Sequence, residues 1–444
     1  MQRVEHTGWT GRVRAPLALV GVCLLVWGAV PGGTFQDDDL VGPLGLAGGW
    51  RIRPFLRLTF SFQEWLHGHR ADLLLAANLA LLAVTALGVR ALALRRLGPV
   101  AAFLAGAVFL VQPAHAEVVA YVSGRSMGLM AALSVWSVWA HLRAVRADDL
   151  RVRQRWTGLS LVLFVLAVLS KEVALVLPLL AWLASRWDAP DRPPRVGPLL
   201  VTSAGLGVLL LVVFPRYRTL AGWSLTRHGP LAALGEHLSA LPVQLSLWLR
   251  PSALSLVHGP GDGWVSPLLG AALVAGAVAA AWVLRRRAPV VTFAVGWVLL
   301  ALLPTHTVLA RADTVTDRSL HLAWVGPAIA LGAAAAAVLR RLASPAARGL
   351  AAAALVAVAV LAARAAHARI RVWSDPRALW TEAVVRAPGS ARAWNNLGLV
   401  LLEHEPRAAT AAIRRAVALA PADPQLLSTL VLMESLCPTD GPCR

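Results

Sequence analysis

The feature that most constrains this chain is the recurrence of long apolar runs separated by short arginine-bearing loops. The runs fall at about 15–30, 71–89, 99–112, 127–142, 157–169, 173–185, 197–214, 266–284, 290–309, 320–339 and 349–363, eleven in all. About 20 apolar residues make a helix that crosses a ~30 Å hydrocarbon layer. Backbone polar groups in lipid must be satisfied within their own segment, which selects the α-helix. The expected fold is all-α: a polytopic membrane helical bundle of about eleven spans. Over 444 residues, 57% of side chains are hydrophobic and 15% charged, a balance too apolar for soluble domains of this length.

A formal charge of +19 would suggest a nucleic-acid partner in a soluble protein. Here the arginines cluster in alternate loops: Arg3, Arg12 and Arg14; Arg90, Arg95 and Arg96; "RAVRADDLRVRQR"; "RWDAPDRPPR"; 285–287; and "RRLASPAAR". The positive-inside rule assigns these loops to the cytoplasm, and no nucleic acid is expected. The intervening loops, "QDDDLVG", "QPAHAEVVAYVSGRS", "SKE", the stretch near 216–265 and "ARADTVTDRS", then share the outer face. The first run lacks a small-x-small cleavage site and is expected to be a retained signal anchor with its N-terminus inside. An odd number of spans places the C-terminal region outside.

Two segments need separate treatment. Residues 231–257 are long enough to span, but spanning would turn two arginine loops outward, so an interfacial amphipathic helix or re-entrant pair is expected. Residues 157–169 and 173–185 are short and are expected to form a hairpin whose turn, "SKE", lies in a recess. An ionisable group at such depth is costly and marks a functional site.

After residue 369 the chain becomes polar with helical periodicity, dividing it into a membrane domain, 1–369, and a C-terminal module, 370–444. Trp394, Leu397 and Gly398, then Ala409, Ile413, Ala416 and Pro421, follow tetratricopeptide spacing, with a helix at 376–387 as a preceding half. One and a half to two repeats are fewer than the roughly three that stand alone, so the module is expected to pack on the membrane domain or a protein partner. Cys23 lies in the first apolar run; Cys437 and Cys443 flank a Pro/Gly turn in an expected oxidising compartment and are expected to form a disulfide. No zinc spacing is present, and no metal ligand set is expected.

Lys171 is the only lysine among 42 basic side chains, which singles it out as a specific requirement. Five groups share the outer face: Asp37, Asp38 and Asp39; Arg51 to Arg57; His115, Glu117 and Arg125; Lys171 with Glu172; and Asp313, Asp317 with Arg318. Carboxylates serve as general bases toward a hydroxyl, and Lys or Arg holds a phosphate. Both kinds together at a membrane rim suit transfer of a group from a lipid phosphate to a hydroxyl.

The blocks "FQDDDLV", "RPFLRLTFSFQEWLHGHRADLLLAANLALL", "FLVQPAHAEVVAYVSGRSMGLMAAL", "LSKEVALVLPLL", "DRSLHLAWVG" and "RVWSDPRALWTEAVVRAPGSARAWNNLG" resemble, in order, membrane glycosyltransferases of the GT-C fold that end in tetratricopeptide repeats. The nearest are the TMTC-type protein O-mannosyltransferases and their bacterial counterparts. The resemblance implies an outer active site in the first loop, a polyprenyl-phosphate-linked sugar as donor substrate, and inverting transfer without a covalent intermediate. It makes Asp37 and Asp38, or Asp38 and Asp39, the acidic pair that holds the base. Lys171 and Arg318 would bind the donor phosphate, with His115, Glu117, Arg125 and Glu172 as further site residues. No cofactor is implied, and the role of a divalent cation is left open. Gln112 stands where the family has a histidine, Met127 where an acid follows "GR", and "RSLHLAW" replaces a tyrosine-rich block. The expected function is inner-membrane glycosyl transfer to a periplasmic protein or glycan hydroxyl. The competing reading is a non-enzymatic, membrane-anchored repeat scaffold of an envelope complex. A transporter would call for paired inverted halves with Gly/Pro-broken spans, which the sequence does not show.

Overall fold

The computed structural model describes residues 9–35, 53–227, 229–259, 263–306 and 313–436. Asp37, Asp38, Asp39, Arg51, Cys437 and Cys443 lie outside these residues, so the acid triplet and the expected disulfide have no structural account. Among the described residues every regular element is helical.

The first helices are α1 (Trp9–Trp27), α2 (Pro54–His67), α3 (Ala71–Ala93), α4 (Pro99–Leu110), the single turn α5 (Ala116–Val119) and α6 (Arg125–Arg146). They are followed by α7 (Leu150–Ser170), α8 (Leu177–Asp188), α9 (Gly197–Val213), α10 (Pro215–Arg227) and α11 (Pro230–Ser246). Then come α12 (Pro267–Leu284), α13 (Pro289–Leu302), the short α14 (Leu320–Ala323), α15 (Val325–Arg341) and α16 (Pro345–Ser374). The chain closes with α17 (Pro376–Arg386), α18 (Ala391–Leu401), α19 (Pro406–Leu419) and α20 (Pro424–Leu436). Local chemistry sets many starts. Proline opens α2, α4, α12 and α16, where its missing N–H costs no helix bond. Ser266, Ser344 and Ser390 accept backbone N–H groups at the starts of α12, α16 and α18.

Six helices are long and apolar enough to cross a membrane, or up to nine if each of three bent helix pairs counts as one span. Their burial differs sharply. In the most apolar window of α6, 78% of residues are buried inside the protein, whereas none are in that of α16. An apolar helix with so little of its surface fully buried suits a lipid surround. The bundle core closes on small residues: a Cβ on Gly332 of α15 would lie 2.4 Å from the backbone nitrogen of Ala105 in α4.

Two segments differ from their sequence reading in extent. The 157–169 run belongs to the 21-residue α7, because Asp149 caps the N–H of Val152 and starts the helix within the charged stretch. The last apolar run belongs to the 30-residue α16, which continues to Ser374, so the first break before the C-terminal helices falls at Asp375. The 231–257 stretch is not among the helices long and apolar enough to cross. It forms α11, a turn, and a 3-10 turn at Pro251–Ala253.

Candidate functional site

One end of the bundle gathers the segments singled out in the sequence. A kink separates α4 from the turn that carries His115 and Glu117, the pair bending by 55°. Glu117 is 2% exposed and points at Arg318. Its carboxylate accepts the backbone N–H of Arg318 at 2.7 Å and lies 3.0 Å from Nη1 of the same residue. Gly124 lets this turn close: a Cβ there would fall 2.5 Å from the Glu117 carbonyl oxygen.

Arg318 is held in place by α11 and the loop after it. Gln244 both donates to the carbonyl of Thr316 and accepts its N–H, each at 2.9 Å. Glu236 accepts from the Thr314 hydroxyl. Asp317 accepts the N–H of Ser255 at 3.0 Å and pairs with His258 Nε2 at 2.8 Å. The segment 231–257 therefore positions the loop that presents Arg318.

Lys171 ends α7 and donates to the Ser126 hydroxyl at 3.4 Å. It also acts electrostatically on both Glu117 and Glu172. Glu172 receives two hydrogen bonds from Arg53, at 2.9 and 3.1 Å, and one from Tyr217 at 3.3 Å. Burial raises the Glu172 carboxyl, but the Arg53 charge and hydrogen bonds outweigh it and hold the group down at about 2. Arg53 itself sits in the left-handed region, at φ 57°, just before Pro54. That backbone costs a non-glycine residue roughly 1–2 kcal/mol, which the paired contact to Glu172 offsets.

Two expected site residues face away from this surface. Arg125 is 2% exposed, donates to Asn78 at 3.1 Å and to the Leu74 carbonyl at 2.7 Å, and stacks 4.2 Å over the Phe60 ring. His115 is fully buried. Its Nε2 donates to the Phe109 carbonyl at 2.8 Å, and its Nδ1 meets Nδ1 of His321 at 2.8 Å. A carbonyl only accepts, so Nε2 of His115 carries a proton, and the two Nδ1 atoms share one more. This pair lies beneath the charged cluster, with Phe109 against both rings.

The C-terminal helices reach the same end. Trp373, at the end of α16, packs on Tyr121 with ring centroids 5.4 Å apart. Arg386 of α17 donates to the Ser252 carbonyl, and Arg392 of α18 lies 3.5 Å from Asp313. Sequence reasoning did not find Arg392, His258, His321 or Tyr217. Scarcity could have found the last: Tyr121 and Tyr217 are the chain's two tyrosines, and both lie here. Among the described residues no group of three or more His, Cys, Asp or Glu side chains is placed to hold a metal.

The opposite end has different chemistry. Asp188 is completely buried and paired with Arg95 at 2.9 Å and Arg146 at 2.8 Å. Arg143 lies 4.9 Å over the Trp156 ring and Arg285 4.0 Å over Trp282, cation–π contacts that the site end has only at Arg125 among the described residues. No protein-family model, curated protein or solved structure matches the chain.

Proposed function

We propose that this chain is an integral-membrane glycosyltransferase that moves a sugar from a polyprenyl-phosphate donor to an extracytoplasmic hydroxyl, on a protein Ser/Thr or a glycan. The observation that supports this most is the convergence, at one end of an apolar bundle, of Glu117, Lys171, Glu172, Asp313 and Arg318 from separate segments of the chain. A cationic rim beside carboxylates at the end of membrane helices suits an anionic lipid headgroup whose leaving oxygen must be stabilised. Arg53, Tyr217 and the Lys171 charge all act on Glu172, so the carboxylate belongs to a network larger than a Lys171–Glu172 pair. In this reading Asp38, flanked by Asp37 and Asp39, is the base toward the acceptor, and Lys171 and Arg318 hold the phosphate. Transfer inverts the anomeric centre, because the acceptor oxygen displaces the lipid phosphate directly.

The proposed topology has eleven spans, adding the shorter α8 and α13 to the nine counted with bent pairs. The N-terminus lies in the cytoplasm of a bacterial inner membrane, and α17–α20 form an extracytoplasmic tetratricopeptide-type module. The close packing of Gly398 on Ala409 and Ile413 supports the module reading, since a Cβ at Gly398 would lie 3.0 Å from the Ala409 carbonyl oxygen. The scaffold alternative draws on the dense mutual pairing at the site, which a purely structural network would also show.

The discriminating experiment compares envelope glycans made with the parent chain and with Asp38→Asn or Lys171→Ala in the full-length, membrane-inserted protein. Loss of a general base lowers rate by roughly 10²–10⁴-fold, so Asp38→Asn should reduce transfer on that scale. Lys171→Ala should weaken donor use. Intact glycosylation after Asn is placed at all three of Asp37, Asp38 and Asp39 would sink the enzyme reading and leave the scaffold.

A further inference from the structure

The turn between α15 and α16 carries cations with no acid to answer them. From Arg318 to Ser374 the chain has no Asp or Glu, and from Leu73 to Ala116 it has none either. These stretches contain α15, α16 and α4. The three helices enclose a cavity of about 480 Å³ at their arginine end. Val100 of α4, Leu339, Leu342 and two alanines give it an apolar lining, and Arg340 and Arg348 supply its charge. Arg348 donates to the Ala343 carbonyl at 3.0 Å, a neutral partner. Among the described residues neither arginine has a carboxylate partner.

Other arginines at this end of the bundle are answered within the protein. Arg95 and Arg146 both pair with Asp188. Arg340 and Arg348 differ in standing where two candidate spans meet, beside the helix whose most apolar window has no buried residue. Basic pockets between membrane helices take anionic lipid headgroups, because the leaflet supplies the missing negative charge. Guanidinium groups suit a phosphate, since they present several N–H donors to its oxygens. A choline headgroup would add a third cation to a cavity that no acid lines. A soluble phosphate would leave the apolar part of the lining without a partner.

We propose that the cavity at the α15–α16 turn seats the headgroup of an anionic phospholipid, with Arg340 and Arg348 on its phosphate and Val100, Leu339 and Leu342 against its glycerol and upper acyl carbons. The lipid joins α4, α15 and α16 at the opposite end of the bundle from the Glu117–Arg318 cluster. The inference needs the chain to lie in a bilayer, and it is independent of sugar transfer.

The test passes the full-length protein through mixed micelles holding equal amounts of phosphatidylglycerol and phosphatidylcholine, then counts retained lipids by native mass spectrometry. The parent should keep phosphatidylglycerol in preference to phosphatidylcholine. Arg340→Gln and Arg348→Gln should each weaken phosphatidylglycerol retention about fivefold, the worth of one basic side chain near an anionic surface. Both together should weaken it roughly tenfold or more. Placing Lys at both positions should keep most of the preference, because a point charge also binds phosphate, and a folding defect would not leave it intact. Arg286→Gln removes an exposed arginine that does not line the cavity and should behave like the parent. Equal retention of the two lipids overturns the proposal. So does a double Gln variant that retains phosphatidylglycerol as the parent does. Inorganic phosphate that displaces the lipid at millimolar concentration would also overturn it, since the site would then recognise the ion and not the headgroup with its chains.

Discussion

At the residue scale, a buried charge is tolerated where partners surround it. Asp188 has no exposed side-chain surface, yet Arg95 and Arg146 contact both its oxygens, and Arg96 donates to its carbonyl. Removing one member of a buried ion network costs about 3–5 kcal/mol. Arg146 is 43% exposed and can turn to water, so Asp188→Asn should fall near the lower end, about 3 kcal/mol, in thermal or denaturant unfolding of the solubilised protein. A negligible change would show that the two arginines lose nothing when the acid is gone. Glu172 gives a pH-dependent counterpart. Its carboxyl is lowered from an ordinary 4.5 to about 2, with Arg53 overriding the effect of burial. A lowered pKa means the folded state favours the charged form. The stabilisation is therefore complete above about 4.5 and disappears as pH falls through about 2. The difference in unfolding midpoint between the parent and Glu172→Gln should hold steady above pH 4.5 and close toward pH 2. A gap that widens on acidification would contradict the Arg53 pairing.

At the scale of elements, helix packing relies on glycines at particular contacts and not on glycine in general. Gly332 of α15 meets the backbone of α4, where an added methyl would clash at 2.4 Å. Gly205 of α9 has nothing within 4 Å of the same ideal position. Gly332→Ala should thus destabilise by about 1–3 kcal/mol, because backbone cannot yield as a side chain can. Gly205→Ala should be neutral or gain up to about 1 kcal/mol from helix propensity. Paired thermal unfolding measurements decide, and equal effects at the two sites would deny the close contact. α11 illustrates a different role. It carries the buried polar groups His237 and Gln244 among apolar ones, and Gln244 clips the backbone of Thr316. This helix is the brace for the loop that carries Arg318.

For the whole molecule, the two ends of the bundle have opposite chemistry. One gathers exposed arginines and Arg–Trp pairs, the other a mixed cluster of acids and bases joined to α17 and α18. If arginine loops remain in the cytoplasm, reporter fusions after Arg287 and after Pro421 should read opposite compartments. Two cytoplasmic readings would refute the proposed eleven-span topology and the shared outer face with it. The arrangement also makes the C-terminal helices part of the site end, because contacts at Ser252, Asp313 and Tyr121 all bind them there.

The apolar runs by themselves determined that the chain is helical and that several of its helices can cross a membrane, since length and hydropathy in lipid leave no other local solution. The alternation of arginine loops also grouped most of the site-end residues on one face, and the one lysine in the chain stood out by its rarity. Tertiary structure alone decided their partners. Glu117 and Arg318 stand 201 positions apart, and no local pattern records that they share two contacts. Arg125 and His115 looked equivalent to Glu117 in sequence, yet packing turned one toward Asn78 and Phe60 and the other toward His321. Likewise Arg392 reads as an ordinary surface arginine of a helical repeat until folding brings it to Asp313. Spacing along a chain sets which face of a helix a side chain occupies, but only the packing of distant helices sets what that face meets.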